Sequence, residues 1–170
     1  VIVYKDEAII TSEPTIFGLA KKGTQTVVKT NTSGSRKRNV IFGAVNPETG
    51  ELSQQFSDKG NTENFKSFLK KVSKNYSGKK VIIIADNVKY HHFKGINEYL
   101  KELKNIEFLY LPSYCSELNA IEHLWENIRA AVTHNTLFDQ FTELLNEVQS
   151  YLCSINKNKS KLKKLCAYIC

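Results

Sequence analysis

The sequence predicts an α/β domain in which a mixed sheet of five strands carries helices on both faces. Three observations lead there. Apolar, β-branched runs fill the start of the chain. Apolar stripes at helical spacing then alternate with further strand-like runs. One of those runs, Val81–Ala85, is apolar throughout, as expected of a strand buried on both faces. An antiparallel start followed by alternating helices and strands gives a mixed sheet covered on both sides.

Each element follows from local chemistry. Val1 to Tyr4 opens a strand expected to give out near Asp6 and Glu7. A basic, Gly- and Ser-containing stretch follows, with a short strand candidate at Thr26–Lys29. Asn39–Val45 is a strand, Asn46-Pro47-Glu48-Thr49-Gly50 a turn, and Glu51–Ser57 the returning arm of a hairpin. Phe65, Phe68, Leu69, Val72 and Tyr76 mark one face of a helix with Asn61 as its N-cap and Ser77-Gly78 as its stop. After Val81–Ala85 comes a helix carrying Phe93, Ile96, Tyr99, Leu100 and Leu103, then a strand at Ile106–Leu111 ended by Pro112. Ile121, Leu124, Trp125, Ile128, Ala131 and Val132 form the stripe of a further helix, which ends near His134-Asn135. Leu137, Phe138, Phe141, Leu144, Leu145, Val148 and Leu152 line a last one before a Lys- and Asn-rich tail. The ribonuclease H-like fold has this order, with its first and fourth strands parallel neighbours whose carboxyl ends open on one side. Ligand sites in open α/β sheets gather at such ends.

The bulk properties narrow the class. The 170 residues are 41% hydrophobic and 24% charged, the balance of a globular protein of one domain. No apolar run approaches the roughly 20 residues that span a bilayer, and no signal-peptide pattern opens the chain. A chain opening on Val1 rather than Met is expected to be an excerpt of a longer polypeptide. Net charge is +7 and the pI about 9.2, which favours a polyanionic partner such as nucleic acid. Lys21, Lys22, Lys29, Arg36, Lys37 and Arg38 fall in a stretch, Pro14 to Pro47, that has no acidic residue. Five lysines and no acid fall between Tyr151 and Cys170. Both segments suit phosphate contacts, although a solvated loop and a frayed tail would look the same. Cys115, Cys153, Cys166 and Cys170 form no Cys-x-x-Cys pair and lie at no zinc-finger spacing from a His, so free thiols in a reducing setting are expected.

Three acids stand out. Asp6 and Asp86 sit where apolar strands are expected to end, and Glu122 sits in the first turns of a helix beside its buried stripe. Taken singly, an Asp there is usually a turn former and a Glu there usually favours the helix dipole. Taken together, the topology converges them, and three close carboxylates resist ionisation unless a cation neutralises them. Mg²⁺ takes oxygen ligands of this kind. Two such ions can act on the attacking and leaving oxygens of a phosphodiester.

Leu111-Pro112-Ser113-Tyr114-Cys115-Ser116-Glu117-Leu118-Asn119-Ala120-Ile121-Glu122-His123-Leu124-Trp125 resembles a signature of the mariner-type superfamily of DDE transposases, in its bacterial insertion-sequence branch. Asp86-Asn87 followed by His91 resembles the second motif, and Asp6-Glu7 the first. Ala20-Lys21-Lys22-Gly23, Phe42-Gly43-Ala44 and Val132-Thr133-His134-Asn135 also resemble the family, and 35 residues separate Asp86 from Glu122. Ser116 and Ala120 stand where the family usually has prolines, and Cys115 where it often has Ser, which loosens the loop before the catalytic helix.

The resemblance implies that Asp6, Asp86 and Glu122 bind Mg²⁺ or Mn²⁺, two ions in all, and that DNA is cleaved and its strands transferred, commonly into a TA target. It implies transposon-end and target DNA as partners, a homodimer, and the bacterial cytoplasm at the nucleoid. The family's amino-terminal helix-turn-helix region is expected to be absent from this chain. Glu7 competes with Asp6, but neighbours on a strand point to opposite faces, so only one joins the triad; Asp6 is favoured. Asn87 and His91 are supporting candidates, with His91 or His92 able to touch DNA. Asn119 is expected to cap the helix presenting Glu122. Trp125 is expected in the core. Lys21, Lys22, Arg36, Lys37 and Arg38 are candidate DNA contacts. The alternatives are a hydrolytic ribonuclease H-like nuclease and an inactive transposon-derived DNA-binding protein.

Overall fold

The structure, a computed structural model, describes residues 1–13, 37–112 and 115–167. Among the described residues, strands β1 (Ile2–Thr11), β2 (Arg38–Asn46), β3 (Glu51–Ser57), β4 (Val81–Ala85) and β5 (Ile106–Tyr110) form a sheet ordered β3-β2-β1-β4-β5. β1 pairs antiparallel with β2 and parallel with β4, and β5 continues parallel beyond β4. The expected ribonuclease H-like arrangement is present, with the first and fourth strands side by side. The strand candidate at Thr26–Lys29 lies outside the described residues, as do Lys21, Lys22 and Arg36.

The sheet separates two hydrophobic cores. On one face, α1 (Thr62–Asn75) and α2 (Ile96–Leu103) pack on Val3, Phe42, Ala44, Val81 and Ile83. Asn61 caps α1 as expected, its side chain accepting from the Asn64 N–H at 2.9 Å. On the other face, α3 (Glu122–Ile128), α4 (Phe141–Lys157) and α5 (Lys159–Leu165) pack on Ala8, Ile10, Ile41, Val45 and Leu52. Phe65, Phe68, Leu69, Ile121, Leu124 and Trp125 are buried, each contributing roughly 1.5–3 kcal/mol of apolar burial. The turn after β2 is drawn against the start of α5. Gly50 adopts φ +69°, and a Cβ there would lie 2.2 Å from the Lys159 carbonyl oxygen.

Four boundaries differ from the sequence expectation. β1 does not end near Asp6 and Glu7 but runs on to Thr11, because Ala8 and Ile10 alternate into the core and pair with β2. Phe93 precedes α2 rather than belonging to it. A 3₁₀ turn at Lys89–His92 comes first, and Gly95 in the left-handed region breaks the chain before Ile96. The single helix expected from Ile121 to Val132 is α3 followed by a π-helical turn at Arg129–Thr133, closed by His134 N–H donating to the Arg129 carbonyl at 2.8 Å. The last helix starts at Phe141 rather than at Leu137, which is exposed, and the lysine-rich tail forms α5.

Candidate active site

The parallel pairing of β1 with β4 ends at Lys5↔Ala85. Asp6 and Asp86 are therefore the next residue on each of two adjacent strands, at the carboxyl end of β4. Asp6 lies mid-strand, opposite Gly43 of β2. Its side chain projects toward α3, whereas Lys5 and Glu7 project toward α1, as strand alternation requires. Glu122 opens α3, its N–H donating to the Asn119 carbonyl at 3.0 Å.

The three acids act on one another. Burial, reinforced by the charges of Glu122, Glu7 and Asp86, pushes the Asp6 carboxyl up to about 7, against a weaker lowering by a backbone N–H. Burial also raises Glu122, and Asp86 and Glu126 add to that, while Arg129 and His123 oppose it. Asp6 has one strong side-chain partner, the Trp125 indole N–H, which donates to its Oδ2 at 3.0 Å. That bond depends on a glycine. A Cβ on Gly43 would lie 2.6 Å from the Trp125 ring, so only Gly lets the indole reach across β2 to β1. Trp125 is buried as expected, yet its polar edge belongs to the site.

Asn119 is buried but does not cap α3, and among the described residues no side chain fills that role. Its amide instead donates to the Lys5 carbonyl at 3.1 Å. The bond ties the loop that carries Glu122 to the residue before Asp6. Ala120 and Ile121 are buried beside it, so the loop is anchored by packing where the family has proline. The amide oxygen, Asn119 Oδ1, is buried without a hydrogen-bond partner among the described residues.

A second polar group lies on the α1 side of β1. Lys5 is fully buried and pairs with Glu7 and His91. Burial lowers the Lys5 ammonium against the raising influence of Glu7. Burial raises Glu7, but Lys5 and His91 outweigh it and hold the carboxyl at about 2. His91 stacks on Phe65 at 4.5 Å between ring centroids, and its Nδ1 lies 3.0 Å from the Asp86 carbonyl. Glu7, Asp86 and His91 offer potential metal-ligand atoms within 4.8 Å of one another. Nearby, the Asn87 side chain reaches His92, whose ring lies against Tyr110.

The model of the DDE superfamily endonuclease family matches residues 1–145. The chain belongs to the DDE superfamily of endonucleases. It is 27% identical over 157 residues to an uncharacterised 39 kDa protein of insertion element IS630 from Shigella sonnei, a match covering 91% of this chain and 45% of that protein. The chain thus spans less than half of that relative. It is 26% identical over 106 residues to the uncharacterised protein y4pE/y4sA of Sinorhizobium fredii, covering 62% of this chain and 76% of that one. Among solved structures, the Mos1 transposase paired-end complex with the left transposon end has the same fold. The TM-score is 0.66 at 16% identity, over 97% of this chain and 53% of that one. The isolated Mos1 mariner catalytic domain gives 0.62 at 15% identity, over 97% and 78%.

Within this DDE-family domain, the described candidates fall into three places. Asp6, Asp86 and Glu122 influence one another from the middle of β1, the end of β4 and the start of α3. His91 and Asn119 lie behind them, buried. Lys37 and Arg38 are exposed at the start of β2, about 17 Å beyond Asp6 along β1. Sequence reasoning missed Lys5, Gly43 and the polar role of Trp125. A lysine at an inward position of a strand is a signal for the first. A glycine inside a strand, the mark of a close approach, is a signal for the second.

Proposed function

We propose that this chain is the catalytic domain of a transposase that cuts and joins DNA, with Asp6, Asp86 and Glu122 as its metal ligands. The observation that carries the reading is the uncompensated charge on the α3 side of β1. Glu7 already has the buried Lys5 ammonium, whereas Asp6 accepts from the Trp125 indole and a backbone N–H and is raised by burial, with the acids around it adding to the rise. Carboxylates that oppose one another's ionisation in this way suit a hard divalent cation. Two ions of the Mg²⁺ or Mn²⁺ kind, held by Asp6, Asp86 and Glu122, would supply Lewis acidity at the attacking and leaving oxygens of a phosphodiester.

The chain's own residues do the positioning. Trp125 fixes the rotation of the Asp6 carboxylate. Asn119 sets the spacing between Asp6 and the turn that presents Glu122. His91 holds the Asp86 backbone as it leaves β4. In the proposed reaction, water first hydrolyses a phosphodiester at the transposon end and leaves a 3′-hydroxyl. That hydroxyl then attacks a target phosphodiester, and the target strand's 3′-oxygen departs. The partners proposed are transposon-end and target DNA, bound by a homodimer in the bacterial cytoplasm at the nucleoid.

The test is a crystal of the chain soaked in Mn²⁺, with anomalous maps. A peak among Asp6, Asp86 and Glu122 is expected. In parallel, Asp6→Asn, Asp86→Asn and Glu122→Gln should each slow DNA cleavage by roughly a thousandfold. Manganese seated instead between Glu7 and His91, or full activity in Asp6→Asn, would overturn the assignment.

A further inference from the structure

Behind the carboxylates, Glu7, Asp86 and His91 form a second set of donors with metal-like spacing, their ligand atoms within 4.8 Å. One carboxylate on each of two strands plus an imidazole is a set that borderline cations such as Zn²⁺ and Co²⁺ accept. Two of its donor groups, His91 and Glu7, are already engaged, while Asp86 Oδ1 is buried without a hydrogen-bond partner among the described residues. His91 Nδ1 lies 3.0 Å from the Asp86 carbonyl oxygen, which can only accept, so Nδ1 carries the proton and donates. Lys5 Nζ lies within hydrogen-bonding reach of the other ring nitrogen, Nε2. The same ammonium pairs with Glu7 Oε1, which lies 3.3 Å from His91 Nε2. Lys5 Nζ therefore occupies the position between Glu7 Oε1 and His91 Nε2 that a metal ion would take.

The site around this ammonium is built rather than incidental. Lys5 and His91 are fully buried. Lys5 Nζ also lies 4.8 Å from the Phe65 ring centroid and 5.7 Å from that of Phe42, within cation–π range. A buried lysine of this kind is retained only where its charge is matched. Glu7 supplies the match, and the two charges cancel.

We infer that Lys5 is a built-in cation that takes the place of a metal ion among Glu7, His91 and Asp86, and so confines divalent metal to the Asp6 side of the strand. Lys5, Glu7 and His91 are thereby positioning residues. The inference rests on the proposed Asp6–Asp86–Glu122 site, but its test can fail separately.

The experiment counts metal equivalents bound per chain by equilibrium dialysis against Co²⁺ and Zn²⁺. Lys5→Met removes the ammonium that lies between His91 Nε2 and Glu7. It should bind one equivalent more than the parent. That extra equivalent should persist when Asp6→Asn is added and vanish when His91→Ala is added. Loss of the parent's own equivalents in Asp6→Asn tests the proposed site alone. Because Lys5→Met leaves Glu7 charged and buried, the charge-neutral pair Lys5→Met with Glu7→Gln is the second variant. It should fold and bind as many equivalents as the parent. The inference is overturned if folded Lys5→Met gains no equivalent. It is equally overturned if the neutral pair loses one, since Glu7 would then be a native ligand.

Discussion

Asp6 titrates near neutrality because burial and the neighbouring acids Glu122, Glu7 and Asp86 oppose its charge. Its folded value, about 7, lies above the 3.8 of an ordinary aspartate. Stability from this group is therefore complete below about pH 4 and is lost as pH rises through about 7. The loss amounts to about 2–4 kcal/mol in the metal-free chain. Asp6→Asn keeps an oxygen for the Trp125 N–H but never ionises. In EDTA, the variant should gain stability over the parent progressively from about pH 4 to about pH 8, as read by urea denaturation. A gap independent of pH would mean that Asp6 behaves as an unburied carboxylate. The same coupling makes a divalent ion compete with a proton, so metal affinity should weaken below about pH 7. Asp6, Asp86 and Glu122 stood out in the sequence by their flanking patterns, and they remain the proposed ligands. Their partners did not stand out. The Trp125 indole lies 119 residues from Asp6 and the Asn119 amide 114 from Lys5, and no local pattern records such bonds.

At the level of the elements, β1 carries both polar groups on one backbone. Its alternation sends Asp6 to α3 and Lys5 and Glu7 to α1. The consecutive acids look like the end of a strand in sequence, since charged residues usually terminate an apolar run. Here the strand continues because β2 pairs with it through Thr11 and buries Ala8 and Ile10. The stripe from Ile121 to Val132 likewise suggested one helix. The inserted residue of a π turn leaves the apolar order nearly unchanged, so periodicity alone does not expose it. The packing of α3 on β2 turns on Gly43. Gly43→Ala would put a methyl 2.6 Å from Trp125 and 2.8 Å from Ile121. Overpacking of this kind costs about 1–3 kcal/mol, and it should also disturb the indole bond to Asp6. Trp125→Phe removes the ring atoms nearest that methyl. Chemical denaturation of both single variants and the double should then show the double less destabilised than their sum. Simple additivity would place the clash elsewhere.

Taken whole, the chain joins a basic exterior to an acidic centre. Net charge is +7 although Asp6, Glu7 and Asp86 gather where the middle of β1 passes the carboxyl end of β4. Lys37 and Arg38 stand exposed beside the carboxyl end of β1, and are proposed as DNA contacts. Reversing both to Glu should weaken DNA binding at low salt. The slope of log affinity against log salt should fall by about 1 for every phosphate no longer neutralised. An unchanged slope in a filter-binding titration would remove them from the interface. Among the described residues, no helix is long and apolar enough to cross a membrane. The fold was legible because each strand and helix face repeats its period several times, while the site depends on single residues meeting across the sheet. One of those meetings has an optical consequence. Trp125 is the sole tryptophan of the chain, and its indole N–H is bonded to Asp6. All indole emission therefore originates one hydrogen bond from a proposed metal ligand. Adding Mn²⁺, a paramagnetic quencher, should dim that emission in the parent and leave it bright in Asp6→Asn. Occupancy of the site can then be followed in real time, in the unlabelled protein, while DNA is being bound.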